Sequence, residues 1–196
     1  QQEVRGHPVA EQRHGGGLSV HDLDSGAWRS FTDRDGLPPA VRDRGNRALI
    51  DLRSVHVDAG GTVWTGGVAA IGATTDDEAQ PDGFVASLRD GAPTVERLDQ
   101  TGAIVALASD GQGALWAASR ADGLRVRPPD GRWIRQRAAP GGLPSNQLTT
   151  LRFDAAGGWL GTADQGLAVL RPPAAPSAPP PPPGTEPPGG GPTATP

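Results

Sequence analysis

The chain has 196 residues, a formal net charge of −4 and no cysteine, and all 18 of its Lys and Arg residues are arginine. This charge gives no basic field for nucleic acid, the lack of cysteine excludes disulfides and thiolate sites, and no apolar run reaches the roughly 18 residues of a membrane span. We therefore expect no nucleic-acid partner, no cofactor, and no membrane contact from this segment itself. Methionine is absent as well, so we expect a piece cut from a longer protein.

The first 49 residues divide into three segments of different composition. Residues 1–15 show no hydrophobic period, and we expect them to be unstructured or the remnant of a preceding strand. The segment GLSV at 17–20 begins a strand, and SGAW at 25–28 is typical of a hairpin turn followed by a buried aromatic residue. An arginine-rich loop follows at 39–49.

An Asp-x-x-Gly turn then recurs at Asp58, Asp110 and Asp154, at spacings of 52 and 44 residues. The strand before each turn carries apolar residues six and three positions ahead of the aspartate, and a tryptophan follows within six residues. Gly and Pro interrupt the chain too often for long helices. A period of 40 to 50 residues with strand chemistry indicates propeller blades, each of four strands A to D in chain order.

The sequence therefore predicts an all-β fold, a β-propeller fragment of two full and two partial blades at residues 16–171. Residues 16–38 supply strands C and D of blade one, residues 49–98 form blade two with an insertion at 72–83, residues 104–143 form blade three, and residues 148–171 supply strands A to C of blade four. Propellers close with about 4 to 8 blades. We expect an open arc, with the remaining blades of the parent propeller as one partner. Residues 172–196 predict a Pro/Gly-rich linker or stalk.

The unit resembles the two-component-regulator propeller repeat, whose pattern runs G-L-P, two apolar positions, D-x-x-G, an apolar-Trp pair and a closing G-L. Residues 142–167 match best, 104–124 and 52–67 match well, and 17–38 match the outer half. The resemblance implies a sensory domain of a bacterial membrane-bound regulator. It also implies an extracytoplasmic location, in the periplasm or at the cell surface.

Strand parity locates a candidate ligand-binding face. The A–B and C–D turns are short and lie at one end of the blades, whereas the B–C and D–A connections lie at the other end and include both long loops. Long loops on a rigid scaffold often carry function, and arginine pairs grip carboxylate or sulfate groups. The alternative is an ordinary solvated surface. The candidate residues are Arg42, Arg44, Arg47, Asp76, Asp77, Glu78 and Arg120.

Other chemistry-bearing residues favour structural roles. Each turn aspartate is expected to cap its own turn rather than to bind metal. His56 is expected to face a neighbouring blade or solvent rather than to act as a base, and the five tryptophans are expected to pack in the core. No nucleophile elbow or phosphate-binding loop occurs. We predict no catalytic residues and no metal site.

Three functional classes remain open. The first is a non-catalytic module that senses or binds a ligand, with a small molecule, a glycan or another protein domain as partner. The second is a fragment of a lyase-type propeller enzyme, which predicts a cluster of histidine and acidic residues near the axis. The third is a structural, protein-binding module on a Pro-rich stalk, which predicts an exposed apolar blade edge. The resemblance to the two-component-regulator propeller repeat favours the first.

Overall fold

The computed structural model describes residues 9–13, 16–42, 48–69, 82–89, 91–98, 101–155 and 157–170. Apart from one 3₁₀ turn at Asp33–Asp35, the regular structure is β-strand. The strands are β1 Val9–Arg13, β2 Gly17–His21, β3 Trp28–Phe31, β4 Val41–Arg42, β5 Ala48–Leu49, β6 Asp51–Val57, β7 Val63–Ala69, β8 Asp82–Leu88, β9 Thr94–Leu98, β10 Ile104–Ser109, β11 Leu115–Ser119, β12 Leu124–Arg127, β13 Ile134–Gln136, β14 Leu148–Asp154, β15 Gly157–Thr162 and β16 Leu167–Leu170.

These strands form four antiparallel meanders and one two-stranded ribbon. Blade one is β1-β2-β3, blade two is β6-β7-β8-β9, blade three is β10-β11-β12-β13 and blade four is β14-β15-β16, while β4 pairs with β5. The all-β partial propeller expected from the sequence is thus confirmed, with two four-stranded and two three-stranded blades. In the described part of the chain, no helix is long and apolar enough to span a bilayer.

A bulge in each A strand explains the spacing of its apolar residues. The register of β6 shifts between Leu52 and Ser54, and β10 and β14 shift at the equivalent positions. Side chains three residues apart would normally point to opposite faces of a strand, but one extra residue returns them to the same side. In β10, Ile104 and Leu107 are therefore both buried.

The core consists of three apolar clusters, one at each junction between successive blades. Leu18 of blade one packs in a cluster with Val63 of blade two. Val85 of blade two shares the next with Leu107 of blade three, and Leu124 of blade three shares the last with Leu160 of blade four. Each sheet is thus covered by its neighbour, which fixes the ends of the blades relative to one another.

Two segments differ from the sequence-based expectation. Blade one has a third strand, β1, which pairs with β2 from Val9↔His21 to Arg13↔Gly17. It lies within residues 1–15, where the remnant of a preceding strand was one of two expectations, and it corrects the expectation that blade one has strands C and D alone. The Arg-rich segment at 39–49 contains the paired strands β4 and β5. The sequence did not define the bounds of these strands, because β1 has no apolar alternation and β4 and β5 have two residues each. The insertion at 72–81 and the segment 171–196 lie outside the described residues.

Candidate functional site

Each Asp-x-x-Gly turn is tied to the tryptophan that follows it. Asp58 Oδ1 accepts hydrogen bonds from the amides of Gly60 and Thr62, both at 2.9 Å, while its Oδ2 accepts from the Trp64 indole at 2.8 Å. Burial alone would raise the pKa of Asp58, but the bonds from Trp64, Thr62 and Gly60 outweigh it and lower that pKa. Asp110 makes the same three bonds.

The third copy keeps the bond although its tryptophan stands one residue closer. Trp159 Nε1 donates to Asp154 Oδ2 at 2.9 Å. The capping role expected for Asp58 and Asp110 is confirmed, and the carboxylates are occupied by N–H donors. Among the described residues, no group of three or more His, Cys, Asp or Glu side chains could hold a metal ion.

His56 bridges two blades, which was one of the two environments expected from its strand position. Its Nε2 lies 2.8 Å from Ser109 Oγ of blade three. The ring is half-buried, and desolvation lowers its pKa, although the nearby Asp58 charge acts in the opposite direction. The contact joins two strand A residues at a blade junction, which is a structural arrangement.

The residues proposed from the sequence as a ligand-binding face are only partly described. Arg120 is exposed in the B–C connection of blade three, and its amide donates to the carbonyl of Ala103 at 2.9 Å. Arg42 lies in β4. The others, Arg44, Arg47, Asp76, Asp77 and Glu78, lie outside the described residues.

Two residues beyond Arg120, the carboxylate of Asp122 gathers three arginines. The side chain is 3% exposed. Its Oδ2 lies 3.2 Å from Arg125 Nη2, and its Oδ1 lies 3.3 Å from Arg137 Nε and also accepts a hydrogen bond from Arg135. We call these four residues the arginine clamp. Guanidinium groups keep their charge at all relevant pH values.

The strand register explains why one carboxylate is needed here. Arg125 of β12 stands directly opposite Arg135 of β13, and like charges opposite each other in a sheet are destabilising. Asp122 offsets this repulsion from within the loop that precedes β12. Arg135 and Arg137 still expose 34% and 55% of their side chains, so both side chains reach solvent.

The loop that carries Asp122 is joined to the D–A connection of the same blade by a backbone hydrogen bond. The amide of Gly123 donates to the carbonyl of Asn146, and the Asn146 side chain accepts from the amide of Ala138, at 2.9 and 2.8 Å. The B–C and D–A connections of blade three therefore form one surface. This is the long-loop end that parity predicted, although the sequence reasoning did not select the clamp residues. The arginine pairs at alternate positions, 125 with 127 and 135 with 137, were the available signal.

A cleft of about 190 Å³ lies at the opposite, short-turn end, between blades one and two. Its walls include Val20, Phe31 and Leu88, and Arg29 and Arg89 also line it. Asp22 beside them is already occupied, since bonds from the Ser25 amide above all lower its pKa. The volume is below the roughly 300–1,000 Å³ typical of ligand pockets.

The tryptophans do not all pack in the core, which corrects the expectation. Trp64 is buried and Trp116 and Trp133 are half-buried, but Trp28 is 51% and Trp159 37% exposed. Trp28 lies on blade one and stacks on His21 with ring centroids 4.4 Å apart, and Trp159 lies on blade four. Both exposed rings belong to the blades at the two ends of the arc.

Comparison with known proteins supports the fold. No family model matches the chain, and no curated protein matches it. The extracellular domain of a hybrid two-component system from B. thetaiotaomicron is similar, with 18% identity and a TM-score of 0.50 over 82% of this chain and 18% of that one. The extracellular domain of a one-component system from B. thetaiotaomicron has 17% identity and a TM-score of 0.44, over 86% and 26%. PorZ, a surface component of the type-IX secretion system of Porphyromonas gingivalis, has 16% identity and a TM-score of 0.44, over 80% and 29%.

The chain has the fold of a partial β-propeller. It spans less than a third of the length of each of these three structures. At this identity the similarity concerns the fold, and the chemistry of the site has to be argued from the chain's own residues.

Proposed function

We propose that this chain is a non-catalytic ligand-sensing or interaction module from an extracytoplasmic bacterial signalling regulator, and that its long-loop end binds an anionic group. The ligand class is a small molecule or glycan that carries a carboxylate or sulfate. The arginine clamp carries this proposal, because Arg135 and Arg137 share one oxygen of a buried carboxylate and both side chains reach solvent.

The geometry favours recognition of an anion over a purely internal ion pair. Each guanidinium has five N–H donors in a fixed fork, and one carboxylate oxygen occupies few of them. Asp122 holds the two side chains in place before a ligand arrives, which lowers the entropy cost of binding. Arg120 lies in the same B–C connection as Asp122, and we propose that Arg42, Arg44 and Arg47, which the sequence assigns to a long connection, extend the positive surface.

The comparison with a solved structure also bears on the cellular location of the chain. The similar domain of a two-component system from B. thetaiotaomicron is extracellular, and we propose an extracytoplasmic location for this chain. The lyase-type alternative predicts a histidine and acidic cluster near the axis. Within the described residues, His56 bonds to Ser109 and His21 stacks on Trp28, and neither arrangement favours that alternative.

Binding of glucuronate, with glucose as the neutral comparison, tests the proposal by isothermal titration calorimetry. The variant Arg135→Ala/Arg137→Ala should lose glucuronate binding, and the triple variant Arg42→Ala/Arg44→Ala/Arg47→Ala should weaken it. Arg132→Ala is the matched control, because Arg132 is an exposed arginine at the short-turn end of the same blade. Equal binding of glucuronate and glucose, or unchanged binding by the clamp variant, would refute an anion site here.

A further inference from the structure

One face of blade four is exposed, whereas the equivalent face of blade three is buried. Register pairs Arg152 with Trp159 and Trp159 with Val169, and Leu167 lies two residues from Val169, so these four side chains share one side of the sheet. We call them the tail face. The equivalent residues of blade three are Ala108, Trp116, Leu124 and Val126.

Equivalent positions differ sharply in exposure. Leu124 and Val126 are 0% and 7% exposed, whereas Leu167 and Val169 are 66% and 52% exposed. Blade four covers the residues of blade three, partly through Phe153, whose ring centroid lies 5.2 Å from that of Trp116. The tail face therefore carries the chemistry of a buried blade junction without a neighbour among the described residues.

Blade one presents the other half of such a junction. His21 pairs with Trp28, and both lie on the side of blade one that faces away from blade two; we call them the head face. The repeat aligns them with Arg127 and Trp133 of blade three.

The contacts of Arg127 and Trp133 indicate which surface the head face would contact. The Arg127 guanidinium lies 5.6 Å from the ring centroid of Trp64 in blade two, and Trp133 packs against the apolar cluster that contains Trp64. Trp64 in turn is the repeat equivalent of Trp159. A head face placed on a tail face would therefore bring His21 and Trp28 against Trp159.

We propose that the head face of one copy of this chain docks on the tail face of a second copy, in the same geometry as its internal blade junctions. The interface is heterologous, because two different surfaces meet, and such interfaces close into rings when the rotation permits. Two arcs would give a ring of about eight blades, at the upper end of the usual range. Closure would cover both exposed tryptophans and remove large apolar patches from solvent.

The experiment measures the mass of the whole chain, residues 1–196, by sedimentation equilibrium. The head-face variant is Trp28→Glu and the tail-face variant is Val169→Arg. Val169 is chosen over Trp159 because Trp159 also bonds to Asp154. Leu23→Glu is the control, since Leu23 is an exposed apolar residue in the β2–β3 turn, outside both faces. Circular dichroism confirms that each variant is folded.

The wild type and Leu23→Glu should have twice the mass of one chain, and each face variant should have half that mass. Mixing the two face variants should restore the dimer, because one junction then pairs two unaltered faces and the other pairs Glu with Arg. A monomeric wild type would overturn the proposal and favour further blades of one polypeptide as the cover. A dimer that survives both variants, or a mixture that stays monomeric, would overturn it as well.

Discussion

His56 Nε2 lies 2.8 Å from Ser109 Oγ and joins the A strands of blades two and three. Desolvation lowers the pKa of His56, so the folded state binds its proton less readily than the unfolded chain does. Stability should therefore be intact above the ordinary histidine pKa of about 6.5 and should fall as the pH drops below it toward the lowered value. Urea unfolding at several pH values between about 7 and 5 measures this loss.

The variant His56→Gln tests the assignment to this residue. Glutamine retains a polar group near Ser109 and does not titrate, so its unfolding free energy should change less over the same pH interval. A wild-type profile and a variant profile with the same slope would assign the pH dependence to other groups.

The Asp–Trp bond should matter more in blade two than in blade four. In Asp58→Asn the retained oxygen can still accept the turn amides, but the new NH₂ group cannot accept from Trp64, so a buried indole N–H loses its partner. We expect a loss of about 1–3 kcal/mol in unfolding free energy. Asp154→Asn should cost less, because Trp159 is exposed and water can replace the carboxylate. Chemical denaturation of both variants compares them directly, and equal losses would contradict the role of burial.

The glycine that begins strand C should tolerate alanine better in blade four, where the described residues include no strand D, than in blade three. Gly123 has φ of 76°, and an added Cβ would meet the carbonyl oxygen of Gln136 in β13. Gly166 has φ of 74° but open space around it. Gly166→Ala should therefore cost only the left-handed strain of about 1–2 kcal/mol, and Gly123→Ala clearly more. Thermal unfolding compares the two losses, and equal losses would show that the φ angle alone decides.

Removing the carboxylate of the arginine clamp should destabilise blade three. Asp122→Asn leaves Arg125 and Arg135 opposed across two strands without the shared charge. The expected cost is about 1–3 kcal/mol, below that of a fully buried ion pair because Arg135 and Arg137 reach water. Asp164→Asn, at an exposed position in the B–C connection of blade four, is the control. Added salt should reduce the difference between the two variants.

The architecture could be predicted from the sequence because its signals are local. The Asp-x-x-Gly turns and the strand-opening glycines of blades two and three depend on residues within one hairpin. The direction of His56 followed from strand parity alone, but its partner Ser109 is 53 residues away and becomes visible only when two blades are placed side by side.

The candidate site was harder to predict because it depends on register and on neighbours. Arg125 and Arg135 are ten residues apart in sequence, and only the pairing of β12 with β13 sets them opposite each other. The exposure of Trp28 and Trp159 is likewise invisible to a repeat pattern, since the same residue type is buried in the middle of the arc and exposed at its ends.

The stacking of blades also determines which sheets unfold locally most easily. Blade one packs on blade two, blade two on blade three, and blade three on blade four. In such a one-dimensional array stability is approximately a sum of nearest-neighbour terms. Amide hydrogens in the central sheets should then exchange with solvent deuterium more slowly than those of β3 and β16, and anything that seats on an end blade should slow exchange there first.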